Sequence, residues 1–132
     1  MAKILLVEDN EMNRDMLSRR LQRRGYAVVI AEDGGVGVAL AKSESPDLIL
    51  MDMSLPVMNG FDFIQELRKN KDWQDIPVVI LTAKDLTLED RQQLKGNVER
   101  VYQKGEYNRD QLLNEVRELV KTRVQPETRS KT

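Results

Sequence analysis

The chain has 132 residues, 40% hydrophobic and 33% charged, which suits one well-solvated domain with a real core. Its 21 basic and 22 acidic residues give a formal charge of −1, against a general nucleic-acid binder. No apolar run approaches the roughly 20 residues of a membrane span, and the absence of Cys and His removes disulfides, thiolate and Ser-His catalysis and most zinc sites.

Met1-Ala2-Lys3 runs into Ile4-Leu5-Leu6-Val7, a short apolar run read as a buried strand and too short for a signal-peptide core. No export signal is therefore expected, and a cytoplasmic location suits a chain without cysteine. Residues 11–24 follow as a helix, with Met12, Met16, Leu17 and Leu21 at helical spacing and Gly25 as the stop. Ala27-Val28-Val29-Ile30 predicts a second strand. Residues 34–43 predict a helix with a weak start at Gly34, Gly35 and Gly37, glycines that follow the wrong strand at the wrong spacing for a dinucleotide loop. Leu48 to Met51 form a third strand, and Phe61, Ile64 and Leu67 mark a third helix. Pro77 opens a fourth strand over 78–81, a weaker helix covers 85–95, and Val98 to Tyr102 form a fifth strand. Residues 108–123 carry the clearest apolar stripe: Leu112, Leu113, Val116, Leu119 and Val120.

Five βα units predict an α/β fold with a five-stranded parallel sheet and helices on both faces. Strands 4–7, 48–51 and 78–81 are apolar throughout, as central strands are, whereas Glu99 and Arg100 suit the fifth to an edge. Right-handed crossovers then favour the order 2-1-3-4-5, the flavodoxin-like arrangement. The domain is expected to span residues 1–123. Residues 124–132, with Pro126 and no apolar stripe, are expected to be a disordered tail or linker stub.

Ligands of such sheets bind beyond the carboxyl ends of the strands, near the switch in strand order. The first strand ends into Glu8-Asp9, the third into Asp52, the fourth into Thr82 and the fifth into Lys104. The three acids are expected to converge, with Thr82 and Lys104 beside them. Three carboxylates at one point cannot all stay ionised without a cation, and Mg²⁺ suits oxygen ligands of this kind. Such a site fits phosphoryl transfer, with Asp52 as nucleophile, Mg²⁺ and Lys104 neutralising phosphoryl oxygens, and the Thr82 hydroxyl donating a hydrogen bond.

The run Leu5-Leu6-Val7-Glu8-Asp9-Asn10 resembles the opening of bacterial response-regulator receivers. So do Pro46 to Gly60, with its Asp-x-x-Leu-Pro-x-Met-x-Gly pattern from Asp52, and Pro77-Val78-Val79-Ile80-Leu81-Thr82-Ala83. The resemblance spans most of residues 3–121. It implies that Asp52 is the phosphoacceptor, Asp9 a direct Mg²⁺ ligand, Glu8 a ligand acting mostly through water, and the Ser54 carbonyl a further ligand. It implies that Thr82 and Lys104 contact the phosphoryl group, that the rotamer of Tyr102 follows Thr82 as an aromatic switch, and that Ser54 and Lys84 tune dephosphorylation. Gly105 departs from the family, which usually has proline after a cis bond at this point. A non-proline cis bond costs about 2.5–4 kcal/mol, so a trans Lys104–Gly105 bond is expected.

The function expected from this resemblance is a phosphorylation-dependent switch in a two-component phosphorelay, not a turnover enzyme. Its phosphate donor is a sensor histidine kinase or a histidine phosphotransfer protein. An output partner is expected on the face of the fourth helix, fifth strand and fifth helix, with no direct nucleic-acid or membrane contact. The domain is expected as a monomer or a phosphorylation-dependent dimer, either standing alone or as the receiver of a longer protein. Two alternatives stay open: a Mg²⁺-dependent aspartyl-phosphate phosphatase or phosphotransferase, which generally wants a second acid where this chain has Ser54, and a phosphorylation-independent interaction module.

Overall fold

The computed structural model describes residues 2–103 and 108–130, with side chains as far as residue 122. In chain order its elements are β1 (Lys3–Val7), α1 (Glu11–Arg23), β2 (Ala27–Ala31), α2 (Gly34–Glu44) and β3 (Leu48–Met51). They continue with α3 (Gly60–Lys69), a single 3₁₀ turn (Lys71–Trp73), β4 (Val78–Thr82), α4 (Leu88–Leu94), β5 (Arg100–Gln103) and α5 (Arg109–Ser130). The sheet is parallel in the order β2-β1-β3-β4-β5, as the strand composition predicts. β3 and β4 are buried throughout and β1 from Ile4 onward, whereas Ile30 of β2 and Arg100 of β5 are exposed, as edge strands allow.

Local chemistry sets where each helix begins. Asn10, Asp33, Asn59 and Thr87 precede α1 to α4, and each side chain accepts a hydrogen bond from the backbone N–H three residues on. Before α5, Asn108 accepts from the Gln111 N–H at 2.8 Å while the Gln111 side chain reaches back to the Asn108 N–H. In α4 the capping box of Thr87 and Asp90 moves the start to Leu88, three residues later than the apolar pattern indicates. β5 likewise starts at Arg100, because Val98 instead forms an isolated bridge with Lys95 after the left-handed turn at Gly96.

Period-two alternation splits the core. Leu5, Val7, Ile49, Met51, Val78 and Ile80 meet Phe63, Ile64 and Leu67 of α3 and Leu94 of α4. Ile4, Leu6, Leu48, Leu50, Val79 and Leu81 meet Leu17 and Leu21 of α1 and Leu112, Leu113, Val116 and Val120 of α5. Met12 and Met16, on the same helical stripe by spacing, are 82% and 41% exposed, because α1 turns only its later positions onto the sheet.

Two further departures have physical reasons. The backbone of α5 stays helical to Ser130, beyond the expected end at residue 123. Residues 121–127 include good helix formers and no glycine stop, and Pro126 forfeits one backbone hydrogen bond. The weak glycine start of α2 is a packing device. A Cβ at Gly34 would collide with the Met58 carbonyl oxygen, and one at Gly37 would stand 2.9 Å from the Phe63 ring. α2 thus rests directly on the β3–α3 loop and on α3. Gly34→Ala is expected to lower stability by about 1–3 kcal/mol through overpacking, read as a lower urea midpoint at unchanged slope. An unchanged midpoint would mean that α2 is free to move away from that loop.

Candidate functional site

Parallel register carries the strand ends, and the acids that follow them, to one place. Val7 of β1 stands opposite Met51 of β3. The Asp52 N–H donates to the Val7 carbonyl at 3.1 Å and the Glu8 N–H to the Ala31 carbonyl at 3.0 Å, so the ladder extends into both acids. Glu8 and Asp52 are buried and Asp9 is exposed. One carboxylate oxygen from each of Glu8, Asp9 and Asp52 lies within 4.8 Å of the others. The expected convergence of the three is therefore present, and this donor set of hard oxygens fits a small divalent cation.

Asp52 Oδ1 accepts hydrogen bonds from the Thr82 hydroxyl at 2.6 Å and from the Ser54 N–H at 3.1 Å. Thr82 is fully buried, and its Oγ1 also accepts from the Lys84 N–H at 3.2 Å. Glu8 Oε2 accepts from the Asn10 N–H at 3.2 Å, which fixes the β1–α1 turn. Ser54 is exposed, and the Lys84 Nζ sits 5.4 Å from the centre of the Phe61 ring. Gly60 lets α3 start against the strand end: a Cβ there would stand 2.6 Å from Met53 Sδ. Lys104 and Gly105 lie outside the described residues.

Tyr102 lies on a different face of the sheet from Thr82. In β4, Ile80 faces α3 and α4 while Leu81 faces α1 and α5, so Thr82 returns to the face of Ile80. Tyr102 is registered with Leu81 and packs into the α1/α5 side, where the Arg100 guanidinium stands 5.7 Å over its ring. The hydrogen bond to Tyr102, then the charges of Tyr102 and Glu115, raise the Arg100 pKa above its ordinary value. Tyr102 therefore faces the opposite side of the sheet from the Thr82 side chain.

The β5 residue beside Thr82 is Gln103, which the sequence reading missed. Its Nε2 donates to the Lys84 carbonyl at 3.0 Å, and its Oε1 accepts from Arg91 of α4 at 2.7 Å. Counting by two from a correctly registered Thr82 would have singled it out.

Thr82→Val is expected to cost about 1.5–3 kcal/mol, the range for a hydrogen bond to a charged group, measured by urea denaturation without divalent ions. Thr82→Ser should keep most of that stability. A Val variant as stable as its parent would remove the Thr82–Asp52 bond from the account.

A family model described as the response regulator receiver domain matches residues 4–117. The chain is 45% identical over 85 residues to protein PilH of Pseudomonas aeruginosa, covering 64% of this chain and 70% of PilH. The corresponding stretch spans 34% of two longer curated relatives. Among solved structures, Vibrio cholerae chemotaxis protein CheY4 superposes with a TM-score of 0.80 at 32% identity, covering 90% of this chain and 98% of that one. The receiver domain of sensor histidine kinase PA1611 from Pseudomonas aeruginosa, with a magnesium ion coordinated in its active-site cleft, gives 0.80 at 30% identity over 90% and 97%. By the span of that match and by the acids at its strand ends, the chain belongs to the response regulator receiver domain family, signalling modules of two-component systems.

Proposed function

We propose that this receiver is a phosphorylation-dependent switch that accepts a phosphoryl group on Asp52 from the phosphohistidine of a sensor histidine kinase or phosphotransfer protein. The observation that carries the reading is the cluster itself: three carboxylates from two strand ends within 4.8 Å, one of them held by a buried hydroxyl and a backbone N–H. Glu8, Asp9, Asp52 and the Ser54 carbonyl would hold Mg²⁺, the ion found in the cleft of the PA1611 receiver. Bound there, Mg²⁺ would supply the charge that lets the acids remain ionised beside incoming phosphoryl oxygens. The Asp52 carboxylate forms the new P–O bond as the P–N bond to the donor imidazole breaks, and the imidazole leaves with its electron pair. Lys104 is assigned the contact to the phosphoryl group from its position after β5. Ser54, two residues after Asp52, cannot act as a general acid for a leaving group. That argues against a phosphatase of small esters.

The same site suggests how the signal leaves. Asp52 Oδ1, Thr82 Oγ1 and the Lys84 backbone form one hydrogen-bonded chain, which continues through Gln103 to Arg91 of α4. If Thr82 turns its hydroxyl to a phosphoryl oxygen on Asp52, the Lys84 peptide and its bond to Gln103 shift with it. α4 has seven residues and buries only Leu94, so few apolar contacts resist its movement. The face formed by α4, β5 and α5 is therefore the proposed output surface. A chain without cysteine suits the reducing cytoplasm, where we place this module.

Acetyl phosphate with Mg²⁺ should add one phosphoryl group to the protein in an intact-mass spectrum and none to Asp52→Asn. A phosphorylated Asn variant would refute the acceptor assignment. Gln103→Ala should still take up phosphate, while hydrogen exchange in α4 no longer responds to it. An α4 response equal to that of the parent would remove Gln103 from the path.

A further inference from the structure

Arg14 lies in the first turns of α1, and its side chain is only 14% exposed. Its Nη1 donates to the carbonyls of Glu8 at 3.2 Å and Asp9 at 3.3 Å. Its Nη2 stands 3.7 Å from Glu32 Oε1, just beyond β2. The backbone N–H of Arg14 also closes the first turn of α1 onto the Asn10 carbonyl at 2.9 Å. One residue thus ties the β1–α1 loop, which carries two of the three clustered acids, to the helix that follows it.

We infer that Arg14 is a positioning residue for the cation site: it holds the Glu8 and Asp9 peptides so that their carboxylates face Asp52. This rests on the proposed Mg²⁺ reading. The two carbonyl bonds carry the effect. The contact with Glu32 is long and Glu32 is 74% exposed, so that ion pair contributes little. The planar guanidinium reaches both carbonyls from one nitrogen while keeping a second toward Glu32, a geometry that a lysine ammonium does not reproduce. Glu8 has a further bond of its own from the Asn10 N–H, whereas Arg14 grips the carbonyls of both acids.

Charge and positioning predict opposite signs. A guanidinium acting through its charge alone would repel an incoming dication, so its removal would tighten binding. A guanidinium that positions ligands weakens binding when removed, by about tenfold or more where supporting groups of metal ligands have this role. The test is calorimetric titration of the parent, Arg14→Met, Arg14→Lys and Glu32→Gln with MgCl₂, together with the Mg²⁺ dependence of Asp52 phosphorylation by acetyl phosphate. The inference expects about a tenfold weaker dissociation constant in Arg14→Met and a loss in Arg14→Lys although the charge is kept. It expects near-parental binding in Glu32→Gln. The Mg²⁺ concentration for half-maximal phosphorylation should rise while the maximal rate stays parental, a split that general destabilisation would not give.

Parental or tighter Mg²⁺ binding in a folded Arg14→Met overturns the inference and leaves the metal reading standing. If that variant does not fold, parental affinity in Arg14→Lys overturns it instead. A parent protein that binds no Mg²⁺ overturns both.

Discussion

Like-charge repulsion at the strand ends is the constraint on which the rest of this structure depends. Two ionised carboxylates at 4.8 Å, the upper bound of separation in this cluster, repel by about 3.5 kcal/mol at an effective dielectric of about 20, and less where one is exposed, as Asp9 is. Such a term is a sizeable fraction of the net stability of a small domain, about 5–15 kcal/mol. The chain meets it with rigidity placed directly behind the acids. β1 and β3 are almost wholly buried, backbone bonds run from Ala31 to Glu8 and from Val7 to Asp52, and buried Thr82 clamps Asp52 from β4. Acids held in this way cannot relax apart by moving the backbone, and their fixed oxygens fit a small divalent cation.

The same economy links the site to the surface. Thr82 is at once the partner of Asp52 and the acceptor for the Lys84 N–H, so hydrogen bonds tie Asp52 to the β4–α4 connection. That connection leads to the least anchored helix of the domain. The α2 side is constrained differently: Gly34 and Gly37 seat α2 against the β3–α3 loop and α3 with no room for a side chain.

Much of this was legible in the sequence for physical reasons. Continuous apolar runs of four residues identify strands buried on two faces, and parallel order follows from the crossovers, so the meeting of Glu8, Asp9 and Asp52 could be read without coordinates. Facing was harder to read. β5 has the mixed sequence Arg-Val-Tyr-Gln, in which no alternation marks an inner side, and a shift of one residue moves every side chain across the sheet. The facing of Tyr102 and the place of Gln103 beside Thr82 are therefore not legible without the register. The glycines of α2 read as poor helix formers because their purpose is a contact 20 or more residues away. The grip of Arg14 on two carbonyls was equally hidden, since spacing along a helix does not reveal where a long side chain ends.

Paramagnetic broadening of backbone amide signals by Mn²⁺, a hard divalent ion standing in for Mg²⁺, tests the central claim most directly. Substoichiometric Mn²⁺ is expected to erase the amides of residues 8–10 and 52–54 first and together, and excess Mg²⁺ to restore them. Broadening spread evenly over the surface acids, or confined to one of the two loops, would contradict it.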